Sequence, residues 1–158
     1  MEAVRYYQAP FGWLRLAANE QGIFRLDFVD EAGEETMTSS KYLEQAIREL
    51  DEYFAGTRQR FEVPYNFTSG TEFQQQVWHA LAEIPYGQTA SYKDIAIAVG
   101  NEKAVRAVGG ANNKNPIAII VPCHRVIGKD GKMVGFGGGI ATKIWLLDHE
   151  RGWTIDER

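Results

Sequence analysis

A single cysteine, Cys123, in 158 residues excludes an internal disulfide framework and any metal site built from several thiolates. Histidine is nearly as scarce, and His79, His124 and His149 show no zinc-ligand spacing. Long apolar runs are missing too. No wholly aliphatic stretch exceeds five residues, and one of that length, Ile117 to Val121, is strand-sized and far short of a bilayer. The opening Met1-Glu2-Ala3-Val4-Arg5 lacks the basic-then-apolar order of a secretory leader, so a cytoplasmic protein with no membrane attachment is expected. A strong charge of one sign is also absent: the net charge is −4, which argues against a partner held by bulk electrostatics. The length leaves room for one domain or two small lobes, not for separate large cofactor and substrate domains. With 44% hydrophobic and 24% charged residues the composition is that of an ordinary folded chain.

The charge that is present is unevenly spread. Residues 1–70 hold 7 Lys and Arg against 12 Asp and Glu, whereas residues 88–132 hold 7 against 3. A mildly basic segment in an acidic chain permits nucleic acid contact without demonstrating it. In the first thirty residues Leu14 and Leu16 alternate with polar or bulky neighbours, as do Phe24, Leu26 and Phe28, the period of half-buried strands in a meander. Leu43, Ile47, Leu50 and Phe54 then repeat at helical spacing, with Gly56 placed to end the helix. Nothing in this lobe has the look of catalysis, and a scaffold is the plain reading.

A connector over 57–70 leads into a second lobe, so domains of 1–70 and 71–158 are expected. Thr71 with Gln74 forms a capping box for a helix carrying Phe73, Val77, Leu81 and Ile84 on one face, stopped by Pro85. Ser91 with Asp94 opens a second, shorter helix with Ile95 and Val99 inward, and Asn101 is placed to cap a third over 102–108, closed by Gly109-Gly110. The pair over 91–110 has helix-turn-helix dimensions. Its second helix is lined with small residues and carries only Lys103 and Arg106 as cations, which suits close approach to a narrow groove better than the reading of major-groove edges; core packing is the competing explanation.

Asn115-Pro116 precedes the run 117–121, expected as a buried strand leading into Pro122-Cys123-His124-Arg125-Val126. A lone cysteine is ordinarily an inert, buried, small apolar residue. Here a histidine and two cations, Arg125 and Lys129, flank it, and nearby positive charge favours the nucleophilic thiolate. On an extended strand Cys123 and His124 would point to opposite faces, so a direct dyad requires a turn at this point or a bridging water.

The segment from Asn115-Pro116 through Ile127 closely resembles the active-site stretch of the O6-alkylguanine-DNA alkyltransferases, which reverse DNA alkylation directly. The likeness extends to Ser91-Tyr92, to the run from Arg106 to Asn112, and to Gly135-Phe136-Gly137-Gly138-Gly139 followed by Lys143, Leu146-Leu147 and His149-Glu150. It covers 71–158 with matched spacing and is loose over 1–70. The resemblance implies an α+β fold: a small antiparallel sheet-plus-helix lobe, ribonuclease H-like, then a mainly helical winged helix-turn-helix lobe carrying the active site. It implies irreversible, stoichiometric transfer of the alkyl group from O6-alkylguanine in double-stranded DNA to Cys123. His124, oriented by Glu150, would deprotonate the thiol through a water; Asn115 would brace the turn; Tyr92 would give a hydrogen bond or proton to guanine N3.

The damaged base would be flipped out through the minor groove, with Arg106 filling the space it leaves. Ala104, Ala107, Gly109, Gly110, Lys103 and Arg125 would join Arg106 at the DNA, and Val126, Phe136, Gly137 and Gly138 would line the base pocket. Phe136 stands where many members of that family have Tyr, and Gly137 replaces a slightly larger residue, which leaves a hydroxyl contact and the pocket width open. No cofactor and no metal are implied, and a monomer is expected. Three other readings compete: a damage-binding relative that would lack the acceptor cysteine, a regulator that would need a longer chain, and a thiol hydrolase that leaves the helix-turn-helix unexplained.

Overall fold

The computed structural model describes residues 2–128, 136 and 138–152. These fall into two units. One runs as far as Thr68 and takes in Pro116–Ala118; the other holds Ser69–Asn115 and the chain from Ile119 onward.

The first unit is built on three antiparallel strands, β1 (Ala3–Ala9), β2 (Gly12–Asn19) and β3 (Gly22–Val29), in the order β1-β2-β3. The alternation read from the sequence appears as burial in β2, where Leu14 and Leu16 are fully inside and Trp13 and Arg15 half-buried; in β3 Leu26 is fully inside, but Phe24 and Phe28 are half-buried like Arg25 and Asp27. Helix α1 (Lys41–Phe54) packs on the sheet, its first turn closed by Ser40 Oγ accepting from the Leu43 N–H at 3.3 Å. Its buried stripe is Leu43, Ala46, Glu49, Leu50 and Tyr53, rotated from the expected one, which leaves Ile47 and Phe54 half-buried. The free edge of β3 is covered by two short extended pieces. Pro64 and Asn66 bond to Ile23, and Pro116 and Ala118 bond to Leu26. Gly22 has φ +138°, and a Cβ there would lie 2.3 Å from the Pro64 oxygen, so only glycine admits this approach.

The second unit holds α2 (Glu72–Ala82), a two-residue strand β4 (Ala90–Ser91), α3 (Tyr92–Ala98), α4 (Val105–Asn113), a 3-10 turn at Cys123–Arg125, β5 (Val126–Ile127) and α5 (Ile140–Glu150). β4 and β5 pair in parallel. Both capping boxes form as the sequence predicts, Thr71 with Gln74 and Ser91 with Asp94. The architecture is α+β: a three-stranded sheet with one helix, followed by a mainly helical unit.

Two expectations fail locally. The third helix does not span 102–108; it is α4, which begins after Ala104 and runs through Gly109-Gly110 to Asn113. Asn101 starts a turn instead, its carbonyl accepting from Ala104 N at 3.0 Å, and the Trp78 indole holds the last turn of α4 by donating to the Ala111 carbonyl at 2.8 Å. The run 117–121 is buried throughout but is no strand. Only Ile117 bridges to a neighbour, residues 118–120 turn, and Ile119 adopts φ +70°, a conformation that costs a β-branched residue on the order of 1–3 kcal/mol. A continuous apolar run reports burial and leaves the backbone shape open.

Candidate active site

Cys123 is positioned by an unusually tight backbone reversal. Pro122, at φ −82° and ψ 68°, is the central residue of an inverse γ-turn closed by Cys123 N donating to the Val121 carbonyl at 2.8 Å. The Asn115 side-chain amide donates to that same carbonyl, also at 2.8 Å, and so clasps the turn from α4's end. Arg125 N then bonds back to the Pro122 carbonyl, making the 3-10 turn that carries Cys123, His124 and Arg125. The chain therefore turns where an extended strand would have separated Cys123 from His124.

All three side chains of this turn are buried, as are Lys143 and Glu150 of α5. His124 Nε2 lies 2.6 Å from Glu150 Oε2. Glu150 is also gripped by Arg125, whose Nε and Nη2 reach its two oxygens at 2.7 and 3.0 Å. The third arm of the guanidinium, Nη1, donates to the Ile84 carbonyl at 2.7 Å, and its Cζ sits over the Tyr86 ring. Burial alone would raise the Glu150 pKa, but His124 and the Arg125 fork hold its carboxyl well below the ordinary range. Burial lowers the pKa of His124, with the Arg125 and Lys143 charges adding to the effect against the pull of Glu150. The imidazole is thus neutral. Because an ionised carboxylate only accepts, the proton sits on Nε2, and Nδ1 is left with its lone pair, buried and without a protein partner.

Burial also pushes the Cys123 thiol above its ordinary range, opposed by the Asn115 amide, the Lys143 charge and the backbone N–H groups of residues 123 and 124. At rest the site holds a neutral thiol next to a neutral base, inside a frame of fixed charges that favours the thiolate once a proton leaves. Lys143 Nζ donates to the Val126 carbonyl at 2.5 Å, fixing β5 to α5. Tyr92, the first residue of α3, is half-buried; burial and the neighbouring Cys123 raise its pKa, so the phenol keeps its proton and remains a donor.

The structure gathers Cys123, His124, Glu150, Asn115 and Tyr92 into the second unit, with Val126 buried beside them. Phe136 is half-buried, Gly138 lies in a turn, and Gly137, with Gly135 and Lys129, lies outside the described residues. On the helix-turn-helix, Lys103, Arg106, Ala107 and Gly110 are exposed, and Ala104 and Gly109 are half-buried. Arg125 departs from its expected place among the DNA-facing cations. Its side chain is only 8% exposed and is committed to Glu150 and the Ile84 carbonyl, because a buried carboxylate needs a counter-charge. Lys143 had no role in the sequence reading, yet a signal exists: Lys143, Leu146, Leu147 and Glu150 fall at i, i+3, i+4 and i+7, placing two charged residues in the buried stripe of α5. Among the described residues no cluster could hold a metal ion, and no helix is long and apolar enough to cross a membrane.

Comparison with known proteins gives a consistent result. Residues 72–152 match the family model of the 6-O-methylguanine DNA methyltransferase DNA-binding domain, and residues 4–67 that of its ribonuclease-like domain. The methylated-DNA–protein-cysteine methyltransferase of Methanosarcina barkeri is 46% identical, covering 90% of this chain and 93% of that protein. The constitutive enzyme of that name from Bacillus subtilis is also 46% identical, covering 94% and 96%. Among solved structures, Mycobacterium tuberculosis O6-methylguanine methyltransferase superposes with a TM-score of 0.86 at 43% identity, over 98% of this chain and 95% of that one. Mycobacterium tuberculosis OGT in complex with DNA gives 0.85 at 44%, over 94% and 92%.

Proposed function

Since the chain belongs to the methylated-DNA–protein-cysteine methyltransferase family of direct-reversal repair proteins, we propose that it takes the alkyl group from O6-alkylguanine in double-stranded DNA onto Cys123, once per molecule. The observation that carries this reading is the buried Glu150–His124 pair, which leaves a single imidazole lone pair, Nδ1, in the same turn as the sole cysteine.

The proton of the Cys123 thiol passes through a water to His124 Nδ1. Glu150, held by Arg125, keeps the imidazole in the tautomer that can accept it and stabilises the imidazolium that forms. The sulfur attacks the alkyl carbon, and the S–C bond forms as the C–O6 bond breaks, its electron pair leaving with the guanine. Tyr92 neutralises that base by giving its phenolic proton to N3, and the proton held by His124 restores the phenol. Lys143 in its charged form favours the thiolate as it develops; burial lowers the lysine's own pKa, and the facing Cys123 raises it in turn. Arg125 acts here through Glu150 and not through DNA.

The target base lies inside the duplex, so it is rotated out before reaction. The exposed face of α4, with Arg106, Ala107 and Gly110, enters the minor groove, and Arg106 takes the place of the base. Val126, Phe136 and Gly138 line the pocket that takes the guanine. The product is a thioether, and the chain has no second thiol to remove the alkyl group, so the acceptor is consumed.

Intact-protein and peptide mass spectrometry after mixing with an O6-methylguanine oligonucleotide tests the reading. One methyl replacing one hydrogen, confined to the peptide holding Cys123 and limited to one per molecule, is the expected result. An unchanged mass with the oligonucleotide still bound would instead make this a damage-recognition protein.

A further inference from the structure

We propose that Asn112 reads the N1–N2 edge of the alkylated guanine and so distinguishes it from bases lacking that edge; this rests on the reading above that such a base enters the site. Asn112 is 2% exposed, yet neither its Nδ2 nor its Oδ1 has a hydrogen-bond partner in the protein. A primary amide buried in that state is destabilising, and a folded chain keeps such a group only where something else satisfies it.

The position of Asn112 on α4 supports the base as that partner. It lies on the face of α4 that carries Gly109, where a Cβ would stand 3.9 Å from the Tyr92 ring. One turn further on, Asn115 takes the Asn112 carbonyl at 3.3 Å through its backbone N–H, while its side chain holds the Cys123 turn. Along the chain Asn112 thus falls between Gly109, which approaches the phenol, and Asn115, which positions the thiol. Asn115 has work within the protein; Asn112 has none.

The chemistry of the amide fits one edge. Alkylation at O6 leaves guanine N1 without a proton, an acceptor beside the N2 amine donor. Asn112 presents the complement, with Nδ2–H donating to N1 and Oδ1 accepting from N2–H. Unmodified guanine carries hydrogen on both N1 and N2, and this leaves one donor facing the amide NH2. O6-methylhypoxanthine keeps N1 as an acceptor but lacks the N2 amine. A site built to bond a substrate N–H rejects the analogue without it, since the protein acceptor is then left unmatched.

Single-turnover transfer rates on oligonucleotides carrying O6-methylguanine or O6-methylhypoxanthine, for the unsubstituted protein, Asn112→Leu and Asn112→Ala, test the assignment, with thermal unfolding of each. The unsubstituted protein is expected to favour O6-methylguanine by about tenfold or more, and both variants to lose that preference. Asn112→Leu replaces an unmatched amide by an apolar group of similar size, so its Tm stays level or rises while its rate on O6-methylguanine falls. Variants that keep the substrate ratio of the unsubstituted protein, or an Asn112→Leu protein less stable than its parent, overturn the proposal. An unsubstituted protein that alkylates Cys123 from neither oligonucleotide overturns the parent reading along with it.

Discussion

Each of the two units buries a glutamate, and the two are treated in opposite ways. In the first, Glu49 Oε1 accepts from the backbone N–H groups of Glu62 and Val63 at 2.9 and 3.1 Å, and Oε2 accepts from Gln45 at 2.8 Å. Every partner is a neutral donor, two of them backbone, and the result is a loop pinned to a helix. In the second, Glu150 meets a histidine and an arginine side chain, and the histidine's other nitrogen is left without a protein partner. The buried side-chain polar atoms unmatched within the protein, among the described residues, are those of His124 and Asn112, both in the second unit. Saturated polar groups hold a fold together. Unsaturated ones, where folding could have matched or removed them, mark the place kept for a reactant.

The sharpest break of this comparison is Cys123→Ala, which abolishes transfer while leaving binding to damaged duplex measurable; lost binding would make the cysteine structural. Next comes Glu150→Gln, which strands the buried Arg125 charge. It should cost about 3–5 kcal/mol of stability by denaturant unfolding and suppress transfer even in the folded fraction. Glu49→Ala is its counterpart. Two backbone donors lose their acceptor, for a cost of about 1–3 kcal/mol, but transfer per folded molecule stays unchanged. A rate loss there would erase the distinction between the units. Arg106→Ala is expected to slow repair in duplex by about tenfold more than reaction with free O6-benzylguanine, because only the duplex requires the base to be extruded. Equal losses would remove that role.

The smallest effect is on stability against pH. His124 has a folded pKa below its ordinary 6.5, so its contribution is fully present above that value and is lost as the pH falls through the folded pKa. Glu150, also lowered, adds a second loss beginning below 4.5. Thermal unfolding of His124→Gln should lack the first of these two declines and keep the second.

Much of this was legible in the sequence. Both capping boxes and the alternation in β2 follow from residue type and spacing, because each is a local rule. The grouping of Cys123 with His124, Asn115 and Glu150 does not; it is what the resemblance to the alkyltransferases implies. What failed was tertiary. Gly109-Gly110 reads as a helix end, but Val108 and Ala111 are buried and the Trp78 indole holds the turn beyond, so α4 continues. The run 117–121 satisfies burial by turning as well as it would by extending. Arg125 looks like a surface cation until Glu150, 25 residues away in sequence, is placed against it. The unmatched state of Asn112 is a property of its neighbours, and no spacing rule reports it.

On this mechanism the resting site keeps its thiol and its base both neutral, and the nucleophile forms only when the substrate is in place. Ultraviolet titration of thiolate absorbance tests it directly, since Cys123 is the one thiol in the chain. A folded-state midpoint above that of the denatured protein, with no thiolate signal at neutral pH, is the expected result. A midpoint below the denatured value, with thiolate present at pH 7, would contradict it.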